Sequence, residues 1–561
     1  MVPNLNGETF MNYEELAELV LPNIKTTPED IEKRYPPRNL PEGAKVTRFA
    51  PSPTGFLHVG GLFGCLTDER LAHLSGGVVY LRIEDTDAKR EVSGAAELFI
   101  ENLNHYGIHF DEGAVVGGDK GDYGPYRQSE RAEIYQTFAK QLIREGKAYP
   151  CFLTAEEIDE IRKQQEAQKL VPGVYGEWSK WRDASIDDVK EALAQKKEFV
   201  VRLRSTGDPS NHFKFTDMIK GTIDVTENNI DEVLLKSDGI PTYHFAHAVD
   251  DHLMGTTHVV RGDEWLPSLP KHIEIFKALG FRLPKYCHTA ALLKMDGPDS
   301  KRKLSKRKDP EADVAFFTKE GYSAEALLEY LMTLLNSNFE DWRMANPTAD
   351  IKEFPLSLKK MSVSGALFDI VKLYDVCKNV LCRKTAEEIY NETAEWAKAY
   401  SPDFYSVFTR NPEFSKAFMG IGRGGAKPRK DFGLYSEVQE YSGFMFDEYY
   451  NECGDYDERF DSQTIKGVLE EYLKVYDFND EQQDWFEKIK DVSEKFGFAR
   501  ETKQYKATPE AFKGHVGDVS GFIRVAVTGK QNSPDMYLVM KTLGHDKVVE
   551  RLNKQIERLS H

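Results

Sequence analysis

Two short segments far apart in this 561-residue chain constrain its fold more than any other feature. One, Arg48 to Gly61, reads RFAPSPTGFLHVGG; the other, Lys303 to Arg307, reads KLSKR. Around the first, Val46 to Ala50 predicts a short strand. Pro51 and Pro53 keep the next residues extended, and Gly55 permits a turn. His58 to Leu74 suits a helix closed by Gly76 and Gly77. Val78 to Ile83 is a buried type of strand that runs into Glu84-Asp85-Thr86-Asp87. This is a β-α-β unit opening a parallel sheet.

A second run of such units comes much later. Val233 to Lys236 and His258 to Arg261 are strand candidates, Thr242 to His252 and Leu266 to Leu279 helices, and His288 to Leu293 a further strand. Between the two runs, residues 126–232 combine a long charged helix, Glu156 to Gln168, with β-like pieces such as Phe199 to Leu203. The pattern predicts one Rossmann-like parallel-sheet domain, with halves at 46–125 and 233–310, split by an inserted domain. Ligands of open α/β sheets sit at the carboxyl ends of the strands, where the order reverses. His58, Glu84, Arg261 and the 303–307 loop all follow or end predicted strands. Residues 1–45 read as an appendage, with an amphipathic helix at Tyr13 to Val20 and an extended linker from Pro36 to Pro41. Beyond residue 311 the chain turns helical, at Ser323 to Leu335, Phe354 to Lys378 and many later stretches. The expected fold class is therefore multidomain α/β plus all-α, with boundaries near 45, 125, 232, 310 and 385.

Composition narrows the function. No run of about 18 apolar residues marks a membrane span, and the acidic N-terminus lacks a signal pattern. The six cysteines form no CxxC pair, so neither a disulfide framework nor a zinc finger is indicated, and a reducing cytoplasm fits. A net charge of −18 argues against a general nucleic-acid coat protein. It is compatible with selective binding through a local basic face.

The chemistry of the two segments is complementary. A helix N-terminus offers free N–H groups and a positive dipole end, which suit a phosphate. His58 can donate to developing phosphoryl charge there, and Gly60 and Gly61 let a nucleotide approach the backbone closely. Lys301 to Lys308 holds six basic residues in eight positions. Its place after the last parallel strand favours a loop that closes on phosphates, with Lys303 and Lys306 stabilising charge on a triphosphate. Such stabilisation is usually the largest catalytic contribution. The pair suggests a site that holds ATP from two sides while a carboxylate attacks the α-phosphorus. No nucleophilic side chain is needed, because positioning and charge stabilisation do the catalysis. Mg²⁺ is expected on the triphosphate, held mainly by phosphate oxygens and waters.

The two segments resemble the HIGH and KMSKS signatures of class I aminoacyl-tRNA synthetases. The APSPTG lead-in narrows the resemblance to bacterial-type glutamyl-tRNA synthetases. Further matching stretches are Leu81 to Asp87, Pro125 to Arg131, Pro241 to His244, Val249 to Met254, Val260 to Trp265 and Arg524 to Gly529. The resemblance is clear over roughly residues 46–380 and looser beyond. It implies an acceptor-stem domain at 126–232, a stem-contact domain at 311–385 and a helical anticodon-binding region at 386–561. It implies glutamate, ATP and tRNA-Glu as substrates, tRNA-Gln as a second acceptor in non-discriminating members, activation only with tRNA bound, and a monomer. Arg48, Ala50, Ser52, Glu84, Tyr243 and Arg261 match glutamate-site positions. Two arginines complement the two carboxylates, Glu84 the ammonium, and Tyr243 adds a hydroxyl. Arg82, close by Glu84, is expected to face the other way. His58, Gly60, Gly61, Trp265 and the loop with Lys303, Ser305 and Lys306 match the ATP side.

Departures are few. The N-terminal extension lies outside the usual family pattern. His247 stands at a glutamate-side position where other members often carry Asn. Cys151-Phe152-Leu153 replaces a Cys-x-Cys zinc site, so no zinc is expected. A glutaminyl enzyme usually shows PEPNG in place of APSPTG, and the truncated paralogue that glutamylates a modified tRNA base lacks an anticodon domain. A regulatory relative without catalysis would not need intact His58, Gly60, Lys303 and Lys306. An adenylate-forming enzyme with a small acceptor would not need the insert and the helical tail. Arg423, Lys427, Arg429 and Lys430 are weak candidates for anticodon contacts.

Overall fold

The computed structural model describes residues 12–53, 55–87, 92, 94–425, 427–452 and 455–560. The chain divides into two compact units, one of residues 1–316 and 328–369, the other of residues 317–327 and 370–561.

The first unit begins with two helices, α1 (Tyr13–Val20) and α2 (Pro28–Arg34). Strand β1 (Val46–Phe49), helix α3 (Val59–His73) and strand β2 (Val78–Leu81) form the first β-α-β unit, with β1 and β2 parallel. Helix α4 (Ala95–His105) leads to β3 (Glu112–Val115), parallel to β2, and to β4 (Gly118–Lys120), antiparallel to β3. Helix α5 (Ala132–Arg144) then packs across this core.

The middle segment has its own sheets. Strand β5 (Ala148–Cys151) is followed by helices α6 (Ala155–Ala167) and α7 (Ile186–Ala194), then by β6 (Val200–Leu203). A hairpin of β7 (His212–Asp217) and β8 (Gly221–Thr226) comes next, and then β9 (Val233–Leu235). Strands β5, β6 and β9 form one antiparallel sheet. Val233–Leu235 therefore does not open the second run of parallel units, as its apolar run suggests. A three-residue apolar strand reads the same in either kind of sheet.

The parallel run resumes after helix α8 (Tyr243–Leu253). Strand β10 (His258–Gly262) lies beside β1, the N–H of Thr257 bonding the Val46 carbonyl at 3.0 Å. After α9 (Leu269–Leu279), β11 (Lys285–Thr289) pairs parallel with β10. The expected strand from 288 to 293 is two strands. Strand β12 (Leu292–Met295) pairs antiparallel with β13 (Lys301–Lys303) and parallel with β14 (Ala366–Leu367). Strand β14 also corrects the helix expected over Phe354 to Lys378. Gly365 adopts φ +111°, a conformation that helices exclude, and the helix starts only at Ile370.

The N-terminal segment is not an appendage. Leu16, Ala17 and Val20 of α1 are buried against α5 in the same core as Tyr80 and Leu81. The acidic face of α1 pairs with α5 as well, Glu18 meeting Lys140 at 2.7 Å and Arg144 at 2.9 Å. The expected linker is anchored by Arg38, which forms a bidentate pair with Glu112 at 2.8 and 2.9 Å and donates to the Met254 carbonyl.

The second unit is helical among the described residues. Helices Ala386–Tyr400, Pro402–Phe408 and Pro412–Met419 bury Ile389, Phe404, Phe408 and Phe418 in one core. Helices Ser462–Val475, Gln482–Lys495, Val516–Thr528, Met536–Leu543 and His545–Arg558 bury Ile465, Ile489, Phe522 and Leu552 in another. No helix among the described residues is long and apolar enough to cross a membrane.

Candidate active site

A cavity of about 1220 Å³ opens where the parallel strands end, and it collects side chains from both runs of the sheet. Arg48, Ala50, Ser52, His58, Gly60, Gly61 and Glu84 line it from the first run. Tyr243, Arg261, Trp265 and Lys303 line it from the second. His247, Ser305 and Lys306 do not.

His58 is the N-cap of α3. Its Nδ1 accepts the N–H of Gly60 at 2.8 Å, which leaves the proton on Nε2 as a donor. Burial, aided by Lys306 and Lys303, lowers its pKa to about 4, so the ring is neutral near pH 7. A Cβ on Gly60 would stand 3.0 Å from His58 Nδ1, so glycine keeps the cap geometry free.

The loop after β13 closes on this helix start. Lys306 donates to the Phe56 carbonyl at 3.1 Å and stands 4.6 Å from the Phe56 ring centre. Lys303 faces Glu264 at 3.2 Å. Arg302 grips Asp309 with both arms at 2.5 and 2.7 Å, and Asp309 accepts the Ser305 N–H at 2.9 Å. The loop is thus held from within by Asp309, while Lys303 is left to face the cavity.

The floor is a buried charge network that the sequence hid. Asp250 and Asp251 sit side by side on α8, fully buried, and share Arg82, which stands 3.8 Å from Asp250. Asp251 takes Arg82 at 2.7 Å and Arg48 at 3.4 Å. Asp250 takes Arg131 at 2.8 Å and also accepts from Tyr135 and Gln128, each at 2.8 Å. Arg82 reaches Glu84 at 3.0 Å, so the two face each other. Residues i and i+2 of an extended chain share a face, and the opposite expectation mistook that period. Two acids in a row among the histidines and apolar residues of α8 were the available signal for the network.

His247 lies behind the cavity and not in it. Its ring stacks on Tyr243 at 5.9 Å, its Nδ1 faces Asp251 at 2.9 Å and its Nε2 meets the Tyr286 hydroxyl at 3.0 Å. Tyr243 is in turn packed on Trp265, with ring centres 4.5 Å apart. Arg261 is buried at 7% exposure, and its Nη2 has no hydrogen-bond partner among the described residues. A buried, unpaired guanidinium arm is costly unless an anion arrives to meet it.

Burial pushes the Glu84 carboxyl up to about 7, although Arg82 and Arg48 pull against it. A carboxyl raised above its ordinary 4.5 costs the fold stability as pH climbs from there to about 7. Only above that point is it a full anion. Glu84→Gln, which cannot ionise, should therefore melt higher than the wild type above pH 7 and lose the fall in Tm between pH 4.5 and about 7. Melts of both proteins across that range check this.

Cys151 is buried on β5, and the described residues contain no group of three or more potential metal ligands.

Comparison with known proteins agrees with this architecture. The family described as tRNA synthetases class I (E and Q), catalytic domain, matches residues 45–373, and an anticodon binding domain matches residues 434–556. A glutamate–tRNA ligase of Acetivibrio thermocellus is 50% identical over 97% of this chain and 100% of its own. One from Sorangium cellulosum is 46% identical over 94% of this chain and 97% of its own. A solved glutamate tRNA ligase from Elizabethkingia meningosepticum, in complex with its amino acid, is 30% identical with a TM-score of 0.72, covering 92% of this chain and 99% of that one. The Acetivibrio match leaves only 3% of this chain uncovered, so it reaches well into the first 44 residues, which lie outside the catalytic-domain match. The chain belongs to the class I tRNA synthetases (E and Q), among the glutamate–tRNA ligases.

Proposed function

We propose that this chain joins glutamate to tRNA-Glu, first activating it with ATP as glutamyl-adenylate and then esterifying the 3′-terminal adenosine. One observation carries the reading. A single cavity holds a helix N-terminus capped by His58, a lysine from the KLSKR segment and a buried arginine with one free arm. ATP would lie along His58, Gly60, Gly61 and Trp265, with Lys303, Ser305 and Lys306 closing on its phosphates. Arg261 and Arg48 would take the two carboxylates of glutamate, Glu84 its ammonium, and Tyr243 a further hydrogen bond. Ala50 and Ser52 line the same end. His247 supports Tyr243 from behind. The α-carboxylate then attacks the α-phosphorus and pyrophosphate leaves, with His58 Nε2–H and the lysines meeting the developing charge. Mg²⁺ would travel on the triphosphate, held by phosphate oxygens and water.

For tRNA, we assign the insert at 126–232 to the acceptor stem, 311–385 to stem contacts and 386–561 to the anticodon. A cavity of about 950 Å³ in the second unit, lined by Trp485, Phe486, Arg429 and Arg524, suits an unstacked base. Arg423 is a poor reader, since it donates to the Met419 and Leu381 carbonyls within the fold. We place the enzyme in the cytoplasm as a monomer.

Charging of purified tRNA-Glu and tRNA-Gln with labelled glutamate tests the reading. Charging of tRNA-Glu is the expected result, and charging of both would add an amidotransferase partner. Folded protein that charges neither would overturn it.

A further inference from the structure

Arg261 differs from every other arginine in the interior of this site. Arg48, Arg82 and Arg131 each face Asp250 or Asp251. Arg261 is also buried but forms no ion pair with a carboxylate among the described residues. Its Nε donates to His288 Nε2 at 3.0 Å, and its Nη1 meets His272 Nδ1 at 3.0 Å. Its carbon centre lies 4.6 Å from the Tyr286 ring centre. Nη2 alone is left over, and the residue lines the cavity.

Both acceptors are neutral imidazoles, and their tautomers follow from the outer bonds. His288 gives its Nδ1 proton to Asp217 at 2.7 Å, so Nε2 is free to accept. His272 accepts through Nδ1, so its Nε2 carries the proton and bonds His244 Nδ1 at 2.8 Å. Burial lowers the pKa of both rings, which keeps them uncharged. A carboxylate in either place would orient the guanidinium just as well. It would also neutralise it, and an amide side chain could then compete with a carboxylate for the free arm. Asp217 is held one imidazole away, on His288 Nδ1.

We propose that His272 and His288 are positioning residues that fix Arg261 through uncharged acceptors, and that this leaves it a full cation selecting a carboxylate over an amide side chain. The inference rests on the proposed glutamate reading, with Arg261 on the side-chain carboxylate and Arg48 on the α-carboxylate.

The test uses pyrophosphate exchange by the full chain with tRNA present, with glutamate or glutamine varied. Asn places a neutral oxygen near His272 Nδ1 and Asp a charged one; Gln and Glu do the same for His288 Nε2. His272→Asn and His288→Gln should keep KM for glutamate within a few-fold. His272→Asp and His288→Glu should raise it about 10- to 100-fold, the scale of one hydrogen bond to a charged partner. The preference for glutamate over glutamine should fall by a similar factor, with kcat at saturation and KM for ATP little changed. Equal behaviour of the charged and neutral members of each pair would overturn the proposal. Should the charged variants fail to fold, His272→Leu against His272→Asn decides. A raised glutamate KM in Leu that Asn restores supports the clamp, and equal values sink it. Wild-type protein that exchanges with another amino acid but not with glutamate would refute the proposed function itself.

Discussion

Removal of residues 1–42 should leave a chain that does not fold. The first unit would lose the partners that α1 and α2 supply, Leu16, Ala17, Val20, Ile31 and Tyr35, all buried. Each large apolar side chain among them contributes about 1.5–3 kcal/mol on burial. Arg38 would vanish from Glu112, where the pair is only 8% and 18% exposed. Breaking a buried pair from one side costs about 3–5 kcal/mol. Lys140, 2% exposed, would lose both Glu18 and the Ile24 carbonyl. Together these losses rival the whole stability of a domain, about 5–15 kcal/mol. The damage would also travel inward. Tyr35 accepts from Arg131 at 3.0 Å, and Arg131 holds Asp250 beneath the cavity. Circular dichroism and soluble yield of 43–561 against the full chain check the expectation, with Arg38→Met as a milder variant. A truncated protein that is folded and fully active would show that the segment is dispensable after all.

That expectation reverses the one the sequence invites, and the reason is instructive. The amphipathic stripe of α1 was legible, since Leu16, Ala17 and Val20 sit at helical spacing. Its partner was not, because α5 lies over a hundred residues away and no local pattern names it. The same division runs through the site. The cap of α3 by His58, the β1-α3-β2 unit and the gathering of Arg48, Glu84, Arg261 and Lys303 at the strand ends follow from local signals and from topology rules. The Asp250–Arg131 and Asp251–Arg82 pairs join residues 119 and 169 positions apart. Such pairs leave no periodic trace. Val233–Leu235 shows a different limit, for strand pairing is chosen by neighbours in space. Arg82 and Glu84 were readable and misread, because a period of two puts them on one face.

Substitution of the loop lysines should give the opposite phenotype, loss of chemistry with the fold intact. Lys303 is over half exposed at 56% and faces Glu264, itself 52% exposed, so its removal costs the apo protein little. With ATP bound, the same ammonium would meet the charge that builds as pyrophosphate departs. Losing one such donor costs about 10²–10³ in rate. Lys303→Ala is therefore expected to lower kcat of tRNA-dependent pyrophosphate exchange by that factor, with Tm unchanged. KM for glutamate should move little, because the contacts proposed for the amino acid are Arg48, Glu84 and Arg261. Lys306→Ala should behave alike through a longer path. Lys306 is held on the Phe56 carbonyl at the start of α3, so it must swing inward to reach a phosphate. Single-turnover rates of adenylate formation, measured beside glutamate KM, separate the two contributions. Equal losses in rate and glutamate affinity would show that the loop shapes the amino-acid site, and would remove both lysines from the transition state.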